Sequence, residues 1–159
     1  MNVEVILEQL RSTGSKLIFA ESITGGLLAD AFISVAGASD VVLGSEVTYA
    51  NELKAALLGV DEELLETKGA VSAEVAAAMA QGVYAVGLAS ADLEPGKLIA
   101  VATTGNAGPS GSPLGLVYLA LYDGSKKKTR EITFEGNRES IRRQTVQAAV
   151  ELIREHLNR

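Results

Sequence analysis

A serine at the end of a short apolar run, and a lysine in the first turn of a later helix, are the residues of this chain best suited to acyl chemistry. In Lys16 to Gly26, KLIFAESITGG, the apolar run breaks into Glu21, Ser22, Thr24 and the pair Gly25-Gly26. Ser22 thus occupies a strand-to-helix junction, and ligands of open α/β sheets bind beyond strand ends. Its hydroxyl is either a nucleophile or a helix cap, because a serine oxygen there satisfies an orphan N–H. Thr24 is itself available as the cap of a helix beginning near it, which leaves Ser22 freer to face the crevice.

A serine nucleophile needs a proton acceptor. His156, the single histidine, lies on a terminal helix whose Ile153 and Leu157 face the core, which makes it a poor partner for a Ser-His-Asp triad. A lysine of lowered pKa can replace histidine, and Lys54 fits. In TYANELK it is the third helical residue after an Asn51 cap, where the positive helix end disfavours an ammonium by about 0.3–1 kcal/mol and burial must supply the rest. An ordinary surface lysine in a first helical turn is the competing reading. A second S-x-x-K match, Ser125 to Lys128, falls in a polar turn that is a poor place to desolvate an amine.

The loop TTGNAGPSGSP, Thr103 to Pro113, lies between two expected strands. Its glycines, Gly105, Gly108 and Gly111, are spaced by three, with no lysine after them and a strand rather than a helix next, so it matches neither nucleotide fingerprint. Converging backbone N–H groups with the hydroxyls of Thr103, Thr104 and Ser110 suit an anion. A surface loop that needs glycine for its turns accounts for the same spacing.

The remaining residues must position these groups. At 159 residues, 47% hydrophobic and 21% charged, the chain suits one compact domain, residues 1–159, with a real core. No apolar run reaches the ~20 residues of a membrane span, and a net charge of -6 gives no general field for nucleic acid. The start, NVEVILEQLRSTG, reads as a helix rather than a leader, so a cytoplasmic protein is expected. With no cysteine, thiolate nucleophiles, disulfides and cysteine-bound zinc are excluded.

Apolar spacing predicts a first helix stopped by Gly14, a buried strand KLIFA, a helix from Thr24, a strand in DVVLGSEVTYA, a helix after Asn51 and a short acidic helix over 62–68. An alanine-rich helix capped by Ser72 follows, then strands KLIAVATTG and GLVYLALYD, a hairpin partner in KKTREITFEG, and a long last helix capped by Asn137. The expected fold is a three-layer α/β/α sandwich with a mixed, partly parallel central sheet. The small residues of the helix from Ala73 permit close helix contacts, in a homo-oligomer or inside the monomer.

Five blocks in order resemble one family. They are Ala20-Glu21-Ser22-Ile23-Thr24-Gly25-Gly26, Val47 to Lys54, Gly69 to Ser72, Thr104 to Pro109 and Gly136 to Gln144. Together they resemble the C-terminal domain family of CinA, the competence/damage-inducible proteins, over nearly the whole chain. The resemblance implies metal-independent deamidation of nicotinamide mononucleotide to nicotinate mononucleotide and ammonia, with no cofactor, and a homo-oligomer, a dimer. A nucleotide-binding or interaction domain, or an amidase for another small carboxamide, are the alternatives.

In that reading Ser22 attacks, Lys54 takes its proton, Tyr49 shares in the relay and Glu21 orients Lys54. The N–H groups of Gly25 and Gly26 receive the oxyanion. Thr24, Asn51 and the loop residues Thr104, Gly105, Asn106, Gly108 and Ser110 border the nucleotide, and Arg138 and Arg142 clamp its phosphate. The chain departs from the family pattern at Ile23, which replaces a cysteine, at Asn106, at the short SGSP and at Glu46.

Overall fold

The computed structural model describes residues 2–94, 96–111 and 113–159; Ser112 of the short SGSP segment lies outside them. Helix α1 (Val3–Thr13) buries Val3, Ile6, Leu7 and Leu10 and ends at Gly14, whose left-handed φ of 69° closes the last turn. Strand β1 (Lys16–Glu21) is buried from Leu17 onward. Helix α2 (Leu27–Ile33), strand β2 (Val42–Val47), helix α3 (Asn51–Leu58) and helix α4 (Glu62–Lys68) follow. Then come helix α5 (Ala73–Ser90), strands β3 (Leu98–Gly105), β4 (Leu116–Tyr122) and β5 (Lys127–Thr133), and helix α6 (Arg138–Leu157). A short 3-10 turn at Ala38–Asp40, not anticipated from the sequence, links α2 to β2.

The sheet runs β2-β1-β3-β4-β5, with β1 parallel to β2 and β3 and the β3-β4-β5 part antiparallel. Central β1 and β3 are apolar on both faces, as a covered parallel strand must be, while edge strand β5 alternates exposed and half-buried residues. Leu17 and Phe19 of β1 enter a core with α1, α2 and α6, and Ile18 and Ala20 enter a second core with α3, α4 and α5. The α/β/α sandwich with a mixed sheet is therefore the observed fold.

The two faces pack differently. Phe19 and Phe32 stack at 5.4 Å under α2, whereas the other face presents Ala20, Ala100, Ala102 and Ala120 to Ala76 and Ala80 of α5. Small side chains let α5 sit close to the sheet, and its buried residues are satisfied inside the chain. Expectation of an oligomer thus rests on family resemblance alone. Ser72 and Asn137 cap α5 and α6 as expected, accepting from Val75 and Ser140. Two other caps differ: α2 begins at Leu27 rather than near Thr24, and α3 is preceded by Ala50, so Asn51 is its first residue and no cap.

Helix α3, which carries Lys54, is held against α5 at Gly82. A Cβ there would stand 2.0 Å from the backbone oxygen of Leu58. No rotamer relieves a clash with a carbonyl, so the overpacking cost of about 1–3 kcal/mol outweighs the helix preference of alanine, about 1 kcal/mol. Gly82→Ala is accordingly expected to lower the urea midpoint. An unchanged or raised midpoint would show that α3 and α5 separate freely.

Candidate active site

The C-terminal ends of β1, β2 and β3 meet at Ser22. The N–H of Ser22 donates to Thr103 at 3.0 Å, and Thr48 N–H donates to Glu21 carbonyl at 2.9 Å, so the three strand ends are tied where parallel sheets bind ligands. Over this point α3 delivers Lys54, which is 1% exposed. Its Nζ lies 3.1 Å from Ser22 Oγ, 2.9 Å from the Thr48 carbonyl and 2.8 Å from the Tyr49 carbonyl. Burial lowers the Lys54 pKa from its ordinary 10.5, and Glu52 opposes this by raising it. A neutral amine has two N–H bonds and one lone pair. As an ammonium Lys54 donates to all three oxygens; once neutral, its two N–H bonds go to the carbonyls and its lone pair faces the Ser22 hydroxyl.

Glu21 does not orient Lys54. Its buried carboxylate accepts from Thr24 Oγ1 at 2.7 Å, Ser45 Oγ at 2.7 Å and the N–H groups of Gly26, Leu28 and Ala29 at 3.2, 2.8 and 3.2 Å. It therefore caps α2, the role expected of Thr24, whose hydroxyl already donates to it. Because Thr24 has one proton, Thr103 Oγ1, 2.8 Å away, must donate to Thr24. The N–H groups of Gly25 and Gly26, expected to hold an oxyanion, are likewise engaged, by Ser22 carbonyl and Glu21.

Tyr49 contributes to Lys54 through its carbonyl. Its side chain is 64% exposed, and its hydroxyl accepts from Arg138 Nη2 at 3.2 Å. Arg138 also donates from Nη1 to the Gly108 carbonyl, so it bridges the Tyr49 segment and the glycine loop. Arg142 donates from Nε to Ile23 carbonyl at 2.9 Å and from Nη2 to Thr24 carbonyl at 3.1 Å. Both arginines, expected to clamp a phosphate, are engaged with backbone and tyrosine oxygens.

In the glycine loop, Asn106 accepts from Gly108 N–H at 3.0 Å and donates to Pro113 carbonyl at 3.2 Å, latching the loop's two arms. Gly105 abuts the turn after Ser22, since a Cβ there would come 2.9 Å from Ile23 Cδ1. A recess of about 360 Å³ opens beside it, lined by Val71, Gly105, Asn106, Gly111, Pro113 and Leu116. Thr104 is turned away from any ligand role by donating to Ala70 carbonyl at 2.7 Å, and Ser110 is exposed. Asn51 lines a different recess, with Glu52, Glu62 and Glu66, that includes neither Ser22 nor Lys54. Glu46 is half-buried on edge strand β2, opposite Ala20.

The other candidate partners lie elsewhere. His156 meets Asp123 at 3.4 Å and Lys128 at 3.1 Å, beside the β4-β5 turn. Ala100 pairs with Tyr122, which puts that turn at the opposite end of the sheet from Ser22. Asp123 accepts from the N–H groups of Ser125 and Lys126, so the Ser125 S-x-x-K match is a hairpin turn. Backbone acceptors for Lys54, the carbonyls of Thr48 and Tyr49, escaped the sequence reading because no residue type announces them.

Burial of Lys54 has a consequence independent of catalysis. Its folded pKa lies below the unfolded value, so between the two the unfolded chain binds more protons and stability rises with pH. Relative to Lys54→Met, the wild-type unfolding free energy is expected to climb as pH rises from below the folded pKa of Lys54 toward 10.5, with other titrating groups cancelling in the difference. Paired urea titrations measure it, and a pH-independent difference would mean that Lys54 titrates normally.

The CinA C-terminal domain family pattern matches residues 2–157. A CinA-like protein of Syntrophomonas wolfei is 43% identical over 98% of this chain and 36% of its own length, and a putative competence-damage inducible protein of Clostridium botulinum is 40% identical over 97% and 37%. The chain thus spans about a third of these curated relatives. Among solved structures, competence/damage inducible protein CihA from Agrobacterium tumefaciens superposes with a TM-score of 0.89 at 37% identity, covering 99% of this chain and 93% of that one. A CinA superfamily protein from Klebsiella pneumoniae gives 0.87 at 31%, covering 99% of each. With a family pattern spanning the five sequence blocks and the fold that brings them together, the chain belongs to the CinA C-terminal domain family.

Proposed function

We propose that this chain is a serine-lysine amidohydrolase that deamidates nicotinamide mononucleotide. The observation that supports this reading best is the buried pairing of Lys54 Nζ with Ser22 Oγ at 3.1 Å, under a lysine whose pKa burial lowers. Ser22 Oγ attacks the carboxamide carbon while its proton passes to the Lys54 lone pair. The tetrahedral intermediate then expels ammonia as Lys54 returns that proton to the departing nitrogen. Water, deprotonated by the same amine, cleaves the ester and restores Ser22. No step needs a metal.

Substrate choice rests on family membership together with the rim. Nicotinamide mononucleotide carries a carboxamide and a phosphate at opposite ends. Arg138, exposed and anchored to the Gly108 carbonyl and the Tyr49 hydroxyl by only part of its guanidinium, retains donors for the phosphate. The Asn106 latch fixes the glycine loop that Arg138 also holds, and so bears on how the nucleotide is seated.

Purified protein incubated with nicotinamide mononucleotide is expected to release ammonia and nicotinate mononucleotide in equal amounts. Ser22→Ala and Lys54→Ala should each lose about 10³-fold or more in kcat while remaining folded by circular dichroism. Lys54→Arg should be equally inactive, because a guanidinium keeps its charge and accepts no proton. Activity retained in Lys54→Arg would remove the amine from the mechanism.

A further inference from the structure

We propose that the N–H groups of Ile23 and Thr24 receive the oxyanion that develops on the substrate carbonyl, and that Arg142 is the positioning residue that aims the Thr24 N–H. The inference rests on Ser22 as the nucleophile of the amidase reading above. It starts from a run of eight backbone amides, Ser22 to Ala29, in which six have acceptors. Ser22 N–H donates to Thr103, Gly25 to Ser22, Leu27 to Thr24, and Gly26, Leu28 and Ala29 to the Glu21 carboxylate. Those of Ile23 and Thr24 have no acceptor among the described residues, although both residues are buried, at 5% and 0% exposure. An orphaned buried donor carries a desolvation penalty, so two in succession beside a nucleophile call for a ligand.

The Ile23 N–H shares a peptide plane with the Ser22 carbonyl, which the Gly25 N–H holds, and the direction of the Thr24 N–H follows from Arg142. The Gly25-to-Ser22 bond closes a reverse turn with Ile23 and Thr24 at its centre, upstream of the α2 amides that Glu21 serves. In a trans peptide the C=O and the next N–H point in opposite directions. Arg142 holds the Ile23 carbonyl, so the Thr24 N–H is turned away from the guanidinium, and its second bond, to the Thr24 carbonyl, fixes the next peptide plane. Successive amides in a turn form a concavity for an anion. An acyl carbon bonded to Ser22 Oγ brings its oxygen near the amide that immediately follows in the chain, which is one of the two oxyanion donors at a nucleophile elbow; here the next amide of the turn supplies the second. Gly25 makes room for the clamp: its φ is 58°, and a Cβ there would press on Arg142 Nη2 at 3.1 Å.

Two measurements test this. With wild-type protein and phenylboronic acid, whose tetrahedral adduct on a serine places an oxyanion where the intermediate's would be, amide NMR should show downfield proton shifts at Ile23 and Thr24, larger than at Gly25 and Gly26. An adduct on Ser22, verified by mass, that leaves Ile23 and Thr24 unmoved would overturn the oxyanion assignment alone. Absence of any adduct would defeat Ser22 as nucleophile, and the amidase reading with it. With nicotinamide mononucleotide, Arg142→Lys, which cannot span both carbonyls, should lower kcat by about 10²-fold with little change in KM. A raised KM at unchanged kcat would make Arg142 a phosphate contact and overturn its positioning role.

Discussion

The buried carboxylate of Glu21 holds the site together. A carboxylate removed from water costs several kcal/mol unless its lone pairs are filled. Here five donors fill them, from Thr24, Gly26, Leu28, Ala29 and, across the edge strand, Ser45. The donors belong to the turn after β1, the start of α2 and β2, and Thr103 of β3 joins through Thr24. Helix α2 has no side-chain cap at Gly26, so its first N–H groups depend on this carboxylate, and its positive end in turn favours the charge. Loss of the carboxylate would release the turn that presents Ser22, however well the sheet itself survived.

That arrangement also keeps two buried ionisable groups apart in their electrostatics. An anion paired with Lys54 would favour the ammonium and raise the lysine pKa. Glu21 stands one residue from Ser22, yet its hydrogen bonds all go to other groups, and the charge that acts to raise the Lys54 pKa is Glu52. Burial therefore prevails, and the lysine is held by two carbonyl dipoles instead of a carboxylate. Neutral acceptors orient the amine without fixing its proton, which is the condition a general base needs.

Much of this was legible in the sequence, and the failures have a common cause. Apolar runs such as KLIFA and KLIAVATTG identified β1 and β3, and Ser72 and Asn137 identified helix starts, because in each case the deciding partner lies within a few residues. Thr24 and Asn51 were misread as caps for the complementary reason. The groups that serve α2 come from Glu21, in the preceding strand, and α3 starts after Ala50 with no side-chain cap at all. Arg138 and Arg142 stand out in the sequence as a candidate phosphate clamp, but their partners include the carbonyls of Gly108, Ile23 and Thr24, which carry no mark in the sequence. Likewise, Ser22 and Lys54 were identified by residue type and setting, whereas the carbonyls that aim the lysine were not.

The two faces of the sheet supply the two halves of the proposed chemistry. On the alanine-lined face, close packing of α5 allows α3 to approach through Gly82, and this places Lys54, one turn upstream of Leu58, over the end of β1. On the other face, larger side chains such as Phe19 and Phe32 seat α2, and α6 runs beside it to present Arg142 to the turn. Ser22 stands at the strand end between them, 8% exposed, with its base supplied from one layer and its backbone geometry fixed from the other. A sandwich with a single covered face could supply only one of these. The third layer therefore belongs to the site as much as to the stability of the fold, because base and turn must be held independently for the lysine to lose its proton while the turn stays fixed.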